Sequence, residues 1–379
     1  MRWDVGIDLG TENVRMAELK TGPVLEEAAA LAFRDGRETP VCGGNAAERL
    51  YGRTCMGMSV VRPLRDGVLE NSFNADRMFH WLYRRMDTVN PRRRFNALIT
   101  CAPFARPVQM EALLAAATDA GATSAALVRG DAAAALGAGL DLNAPEAKLV
   151  VDVGGGKLSA TLFTFGRVAA YGHLPYGMGR IDERVERILR VESGYRIGRT
   201  AAREIKHTLG SALPEAAPRD VIMHMTGFSI ADRLPRNFDV ETKPVLDACE
   251  DVVRELAGLC ASVVDGAPEE LSADLNDTGA VLTGAGAEMT GLDKRIGDAL
   301  GIPCRVADAP GTCAIRGLHK IMESPDDYPA AFLERRDVSA WRRAARAHAF
   351  VRKRSAAGAA PRARMIRKGG WRTFPAKER

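Results

Sequence analysis

Val5-Gly6-Ile7-Asp8-Leu9-Gly10-Thr11 is a short apolar run that ends in an acid and a glycine turn. Leu149-Val150-Val151-Asp152-Val153-Gly154-Gly155-Gly156 repeats it in the second half of the chain. Each stretch predicts a strand that enters a tight turn and leaves as a second strand, Asn13 to Leu19 after the first and Leu158 to Phe165 after the second. Glycines at such a turn let backbone N–H groups approach phosphate oxygens, and the acid at the strand end can hold a water-bound Mg2+. Either loop alone reads equally well as an ordinary β-hairpin, but two of them could clamp one triphosphate between two halves. A third stretch, Gly279-Ala-Val-Leu-Thr-Gly-Ala-Gly-Ala-Glu-Met-Thr-Gly291, predicts a buried strand, a small-residue loop and a helix start, which brings backbone against something flat.

Outward from these loops the chain alternates strand and helix patterns. Residues 4–33 read as strands, 73–86 as a helix (Phe73, Met78, Phe79, Trp81, Leu82, Met86), 97–103 as a short buried strand, 107–120 as a helix and 125–129 as another strand. The scheme restarts at Lys148, with a helical insertion at 182–210, a polar β-like excursion around 220–240 and helices at 241–265. Such alternation predicts α/β layers in two similar lobes. At 379 residues the chain exceeds a single typical core.

Composition excludes other classes. No apolar run reaches the ~18 residues of a spanning helix, and Met1-Arg2-Trp3-Asp4 leads straight into the first strand, so neither a spanning helix nor a signal peptide is expected and the protein should be cytosolic. The seven cysteines, at 42, 55, 101, 249, 260, 304 and 313, have neither a disulfide framework nor metal-ligand spacing and predict buried reduced thiols. Charge is uneven: residues 341–379 hold 13 Lys/Arg and one Glu, whereas the rest of the chain is net acidic. Ser355 to Pro361 reads as a small-residue linker, and the break near 324–329 predicts the end of the globular body.

The order of two phosphate loops and an adenosine loop resembles the actin-like ATPase superfamily. The longer stretches resemble its MreB family of rod-shape-determining filament proteins: Gly52-Arg53-Thr54, Val61-Arg62-Pro63-Leu64-Arg65-Asp66-Gly67-Val68, Ala133 through Leu140, Glu204-Ile205-Lys206, and Val281 through Gly317. The resemblance runs from about residue 4 to about residue 322 and is far more specific than any one loop. It implies an α/β actin-like ATPase fold of two duplicated lobes around a nucleotide cleft, 1–147 with an inserted subdomain at about 34–72 and 148–323 with one at about 183–262; composition adds 324–379 as a basic, flexible extension. The resemblance also implies ATP and Mg2+ as ligands, with Asp8, Gly10, Thr11, Asn13, Asp152, Gly154, Gly155, Gly156, Lys157, Glu204, Lys206, Gly284, Ala285, Gly286 and Ala287 binding nucleotide. Asp8 and Asp152 would hold the metal through water.

Three departures from the family pattern bear on chemistry. Lys157 and Leu158 stand where two threonines are common, so a lysine would neutralise phosphate charge in place of hydroxyl contacts. Arg129 stands at the position of the water-orienting glutamate and cannot act as a base, which leaves Asp131 as the candidate catalytic residue. Gly177-Met178-Gly179-Arg180-Ile181-Asp182 lacks the family's acid at Gly179 but keeps Asp182. Three readings follow: an ATP-binding protomer that polymerises head to tail and organises wall synthesis at the inner face of the cell membrane, a kinase or chaperone-type ATPase, or a degenerate paralogue that binds nucleotide or a partner without turnover. The family's membrane contact is not evident here in an amphipathic start or a hydrophobic loop. Pro91-Arg92-Arg93-Arg94-Phe95 sits at that loop, and the basic tail suits an anionic membrane surface, with nucleic acid as the rival partner.

Overall fold

The computed structural model describes residues 2–54, 56–86, 95–218 and 221–335. The two halves are built on the same plan. In the first, strands Val5–Leu9, Asn13–Glu18 and Gly22–Ala28 form an antiparallel meander, and Asn96–Cys101 and Ser124–Arg129 add in parallel on the other side of Val5–Leu9. In the second, Lys148–Val153, Leu158–Thr164 and Arg167–Leu174 form the meander, and Ala280–Thr283 and Cys304–Val306 add in parallel. Each central strand carries its acid at its carboxyl end, one residue short of the turn. The apolar runs there are nearly continuous because helices cover both faces of such sheets, and Ile7, Leu98, Ile99, Leu127, Leu149 and Val151 are fully buried.

Helical spacing is borne out at Ser72–Arg84, where Asn71 caps the start through its side chain, and at Pro107–Asp119, which begins with a proline. The insertion expected at 182–210 is two helices, Gly179–Val191 and Arg199–Leu209. The polar excursion is the hairpin Met223–Ser229 and Pro235–Val240, and 241–265 is a single helix, Thr242–Asp265. In the first half, residues 31–61 contribute the small sheet of Leu31–Arg34, Cys42–Gly43 and Met58–Val61.

The expected boundary after residue 323 is corrected by the structure. Phe332–Arg335 pairs antiparallel with Ser124–Arg129 and forms the edge of the first sheet, so the body continues to at least residue 335. Just before it, helix Cys313–Glu323 crosses helix Gly130–Gly137 of the first half. A Cβ on Gly137 or Gly317 would run into the partner helix's backbone at Cys313 or Ala133, so these two glycines allow the crossing. Among the described cysteines all six are free; Cys101, Cys249, Cys260 and Cys313 are buried, whereas Cys42 and Cys304 are only half-buried. Cys55, Pro91 to Arg94 and the basic segment 341–379 lie outside the described residues, as does everything expected of them.

Candidate functional site

The two phosphate loops are the same turn built twice. Gly10 N–H donates to the Asn13 carbonyl at 3.0 Å and Gly154 N–H to the Lys157 carbonyl at 2.9 Å, so Asp8 matches Asp152 and Asn13 matches Lys157 in position. The turns meet face to face across the cleft: a Cβ on Gly156 would collide with the Thr11 side chain, and one on Gly155 with that of Glu12. The third loop closes the same space. Gly284 has φ +81, which favours glycine, and a Cβ there would lie 2.8 Å from Asp152 Oδ1; its N–H donates to the Pro310 carbonyl at 2.9 Å. Backbone from Gly177-Met178-Gly179 grips the second turn, with Met178 N–H donating to Gly154 O and Gly179 N–H to Gly155 O, both at 2.9 Å. That grip uses main chain, so an acid missing from residue 179 does not disturb it.

Of the residues expected from the sequence, Asp8, Gly10, Thr11, Asn13, Asp152, Gly154, Gly155, Gly156, Lys157, Gly284 and Ala285 line one cleft. Gly286 and Lys206 line the adjoining hollow with Met178, Arg203, His207 and Met289. Ala287 is buried beneath that loop and not exposed to the hollow. Glu204 is corrected: it is exposed and lines neither the cleft nor the hollow, whereas Arg203, Lys206, His207 and Gly210, at helical spacing, present the face that lines the hollow. Lys206 is held there by Asp182, which is 1% exposed, at 2.6 Å, and by the Met178 carbonyl at 3.3 Å.

Asp131 is the second correction. Its side chain is buried and does not line the cleft. One oxygen accepts from Arg129 Nη2 at 2.7 Å and from Thr161 Oγ1 at 2.8 Å; the other accepts from Arg129 Nε at 3.1 Å and from its neighbour Ala132 N–H at 2.9 Å. A general base must come within hydrogen-bond reach of the proton it takes. Asp131 instead staples the first half to Thr161 of the second, and Arg129, lying over the Tyr171 ring, is its counter-ion.

Both strand-end acids already face cations. Arg15, opposite Asp8 in the hairpin register, lies 3.7 Å from it, and Thr100 Oγ1 donates to Asp8 at 2.7 Å. Burial lifts the Asp8 carboxyl above its usual range against the pull of Arg15 and Thr100. Opposite Asp152 the register offers only Ser159, and the cation comes instead from the turn, where Lys157 Nζ bonds Asp152 Oδ2. Burial alone would lower the Lys157 ammonium, but Asp152 outweighs it and holds the lysine protonated. Mg2+ is ordinarily held through its own waters by one or two carboxylates and the ligand's phosphates; here Asp152 is engaged directly by Lys157, whereas Asp8 lies 3.7 Å from an Arg15 whose Nη2 donates to Glu26 at 2.7 Å.

Glu12 is bulkier than the alanine or serine usual at this place in the family, but sequence reasoning gave it no role. Its carboxylate is bonded by Arg199 and Arg203 from the second half, with Arg62 Nη2 at 3.4 Å, and Arg62 in turn donates to the Thr11 and Glu12 carbonyls and to Glu48. Burial would raise the Glu12 carboxyl, yet Arg62, Arg199 and Arg203 together hold it below its usual range. An acid in a glycine turn was the only signal. Its partners lie 50 to 191 positions away and no local pattern announces them.

The MreB/Mbl protein family matches residues 2–329. The cell shape-determining protein MreB of Escherichia coli K12 is 31% identical over 328 residues, covering 85% of this chain and 94% of MreB; the cell shape-determining protein Mbl of Bacillus subtilis is 28% identical, covering 86% and 97%. MreB5 of Spiroplasma citri, solved bound to AMPPNP, superposes with a TM-score of 0.80 at 24% identity over 86% of this chain and 97% of its own. The MamK double helical filament gives 0.70 at 18% over 84% and 98%. These two share the fold.

Proposed function

This chain belongs to the MreB/Mbl family, and from that premise we propose that it is an actin-like cytoskeletal protomer that binds ATP between its two halves, assembles into filaments and helps determine cell shape. The observation that carries the reading is the convergence of three glycine loops, at 10–13, 154–157 and 284–286, on one cleft with both strand-end acids in place. The relatives are named for cell-shape determination, MreB5 binds AMPPNP and ADP, and MamK forms a double helical filament. A protomer with two halves around a cleft suits head-to-tail contacts that do not close on themselves.

The Arg129–Asp131 pair favours a protomer that holds nucleotide with little or no turnover, because the expected base is spent on a buried ion pair. Asp152, expected with Asp8 to hold Mg2+ through water, is likewise already paired, with Lys157. Among the described residues no helix is long and apolar enough to cross a membrane. Location in the cytoplasm at the inner membrane face, alongside wall-synthesis proteins, is supported by the basic segment 341–379, with its interleaved Trp341, Phe350, Trp371 and Phe374. Nucleic acid is the rival for that segment.

Sedimentation of the full chain tests the reading. ATP and a non-hydrolysable analogue should both raise the pelleted fraction, and equal pelleting with and without nucleotide would overturn it. Deleting 341–379 should abolish co-flotation with anionic liposomes while leaving nucleotide-dependent pelleting. Unchanged flotation would remove the membrane role, and DNA binding by the full chain that is lost with 341–379, without liposome binding, would promote nucleic acid.

A further inference from the structure

We propose that Lys157 is the built-in counter-cation of the cleft, so that the phosphates of a bound nucleotide are met by its ammonium and binding needs no divalent metal ion. The inference rests on the nucleotide-binding reading above and goes beyond it. It starts from the equivalence of the two turns: where the first hairpin has Asn13, the second has Lys157, and the same backbone bond closes both. That bond fixes the lysine at the foot of the turn. Its stem packs on Gly67, where even a Cβ would come within 2.9 Å of Lys157 Cβ, and its side chain is only 17% exposed. Gly67 is itself held beside the first loop, because its N–H donates to Thr11 Oγ1 at 3.1 Å. The lysine is therefore boxed between the two phosphate turns and cannot swing out to solvent without dismantling that contact.

The ammonium head has three donors, and the structure uses one, on Asp152 Oδ2. Two remain for phosphate oxygens, which a lysine binds as a point charge. Across the cleft Asp8 accepts from Thr100 and lies 3.7 Å from Arg15, which is bonded to Glu26, so Asp152 is the strand-end acid that meets a cation directly before any ligand arrives. A divalent ion seeking Asp152 would have to displace Lys157 or sit against a like charge, which is unfavourable in a site shielded from water.

The test is a calorimetric titration of ATP into the full chain, in EDTA and in excess Mg2+. The intact protein should bind in both, with affinities within roughly threefold of each other. Lys157→Thr should lose about tenfold or more in EDTA and recover part of the loss in Mg2+, while Lys157→Arg, which keeps the charge, should still bind in EDTA. Thermal melts establish that the variants fold, and the Mg2+ comparison on the intact chain decides the question even if Lys157→Thr does not. Binding by the intact protein that falls about tenfold or more in EDTA would overturn the proposal and leave the nucleotide reading standing. Absence of binding in both buffers would remove the nucleotide reading and this proposal with it.

Discussion

The two phosphate hairpins share strand, turn and closing bond, yet they balance their charges in different ways. In the first, the acid Asp8 is met from across the ladder by Arg15, and the turn residue Glu12 reaches over the cleft to arginines of the other half. In the second, the acid Asp152 is met from within the turn by Lys157, and the residues matching Thr11 and Glu12 are Gly155 and Gly156, which make room for those two side chains. A duplicated backbone thus carries two complementary surfaces: one hairpin supplies the side chains that bridge the cleft, and the other supplies the space and the cation.

The largest expected effect lies just behind the hairpins. Arg129→Glu, the change that would supply the family's usual acid, leaves Asp131 buried beside a like charge, and removing one partner of a buried pair costs about 3–5 kcal/mol. Its melting temperature should fall sharply, and adding Asp131→Asn should restore most of the loss; a single variant as stable as the parent would show that the pair does not join the halves. In the doubly substituted protein, phosphate release should exceed that of the parent.

Making the hairpins more alike is the next test. Gly156→Val puts a branched side chain where Thr11 sits, and overpacking of this kind costs about 1–3 kcal/mol. Nucleotide affinity and stability should drop together, whereas the same change at the solvent-open Gly52 should affect neither beyond its backbone strain.

Glu12→Gln should cost about 2 kcal/mol, between the values for surface and buried ion pairs, and should hasten nucleotide exchange by loosening the bridge between halves. The pH dependence follows from the lowered Glu12 carboxyl. A depressed folded value stabilises the protein above the ordinary value of 4.5 and loses that stabilisation as pH falls through the folded value. The parent should therefore lose stability below about pH 4.5 more steeply than Glu12→Gln; parallel acid profiles would show that the arginines do not act on this carboxylate.

The smallest effect is at Asp8, whose carboxyl is raised by burial. A raised acid opposes folding when ionised, so Asp8→Asn should stabilise the protein at neutral pH, by less than about 1 kcal/mol, as measured by thermal melts.

These differences also mark what the sequence could reveal. Glycine turns are local, and their acids, turn residues and flanking strands are legible within eight residues, so the turns could be read directly and the resemblance then named eleven of the residues that line the cleft. Glu204 failed because a one-residue slip turns a helical side chain by about 100°, which put Arg203 in the place expected for the acid. Asp131 failed because an acid two residues from an arginine can face the cleft or fold back onto that arginine, and burial against Thr161 of the other half goes with the second choice. Strand Phe332–Arg335 was hidden by a proline-rich approach and a stretch with no alternation; its identity as an edge depends on pairing with a strand some two hundred residues earlier.

The central claim is that both hairpins act on one nucleotide. The most direct measurement is a calorimetric ATP titration of the intact chain beside Gly156→Val and Glu12→Gln, one change in each turn. The account predicts one nucleotide per chain, with affinity reduced by either change and with both variants still folded. Tight binding indifferent to both changes, or no binding by the intact chain, would contradict it.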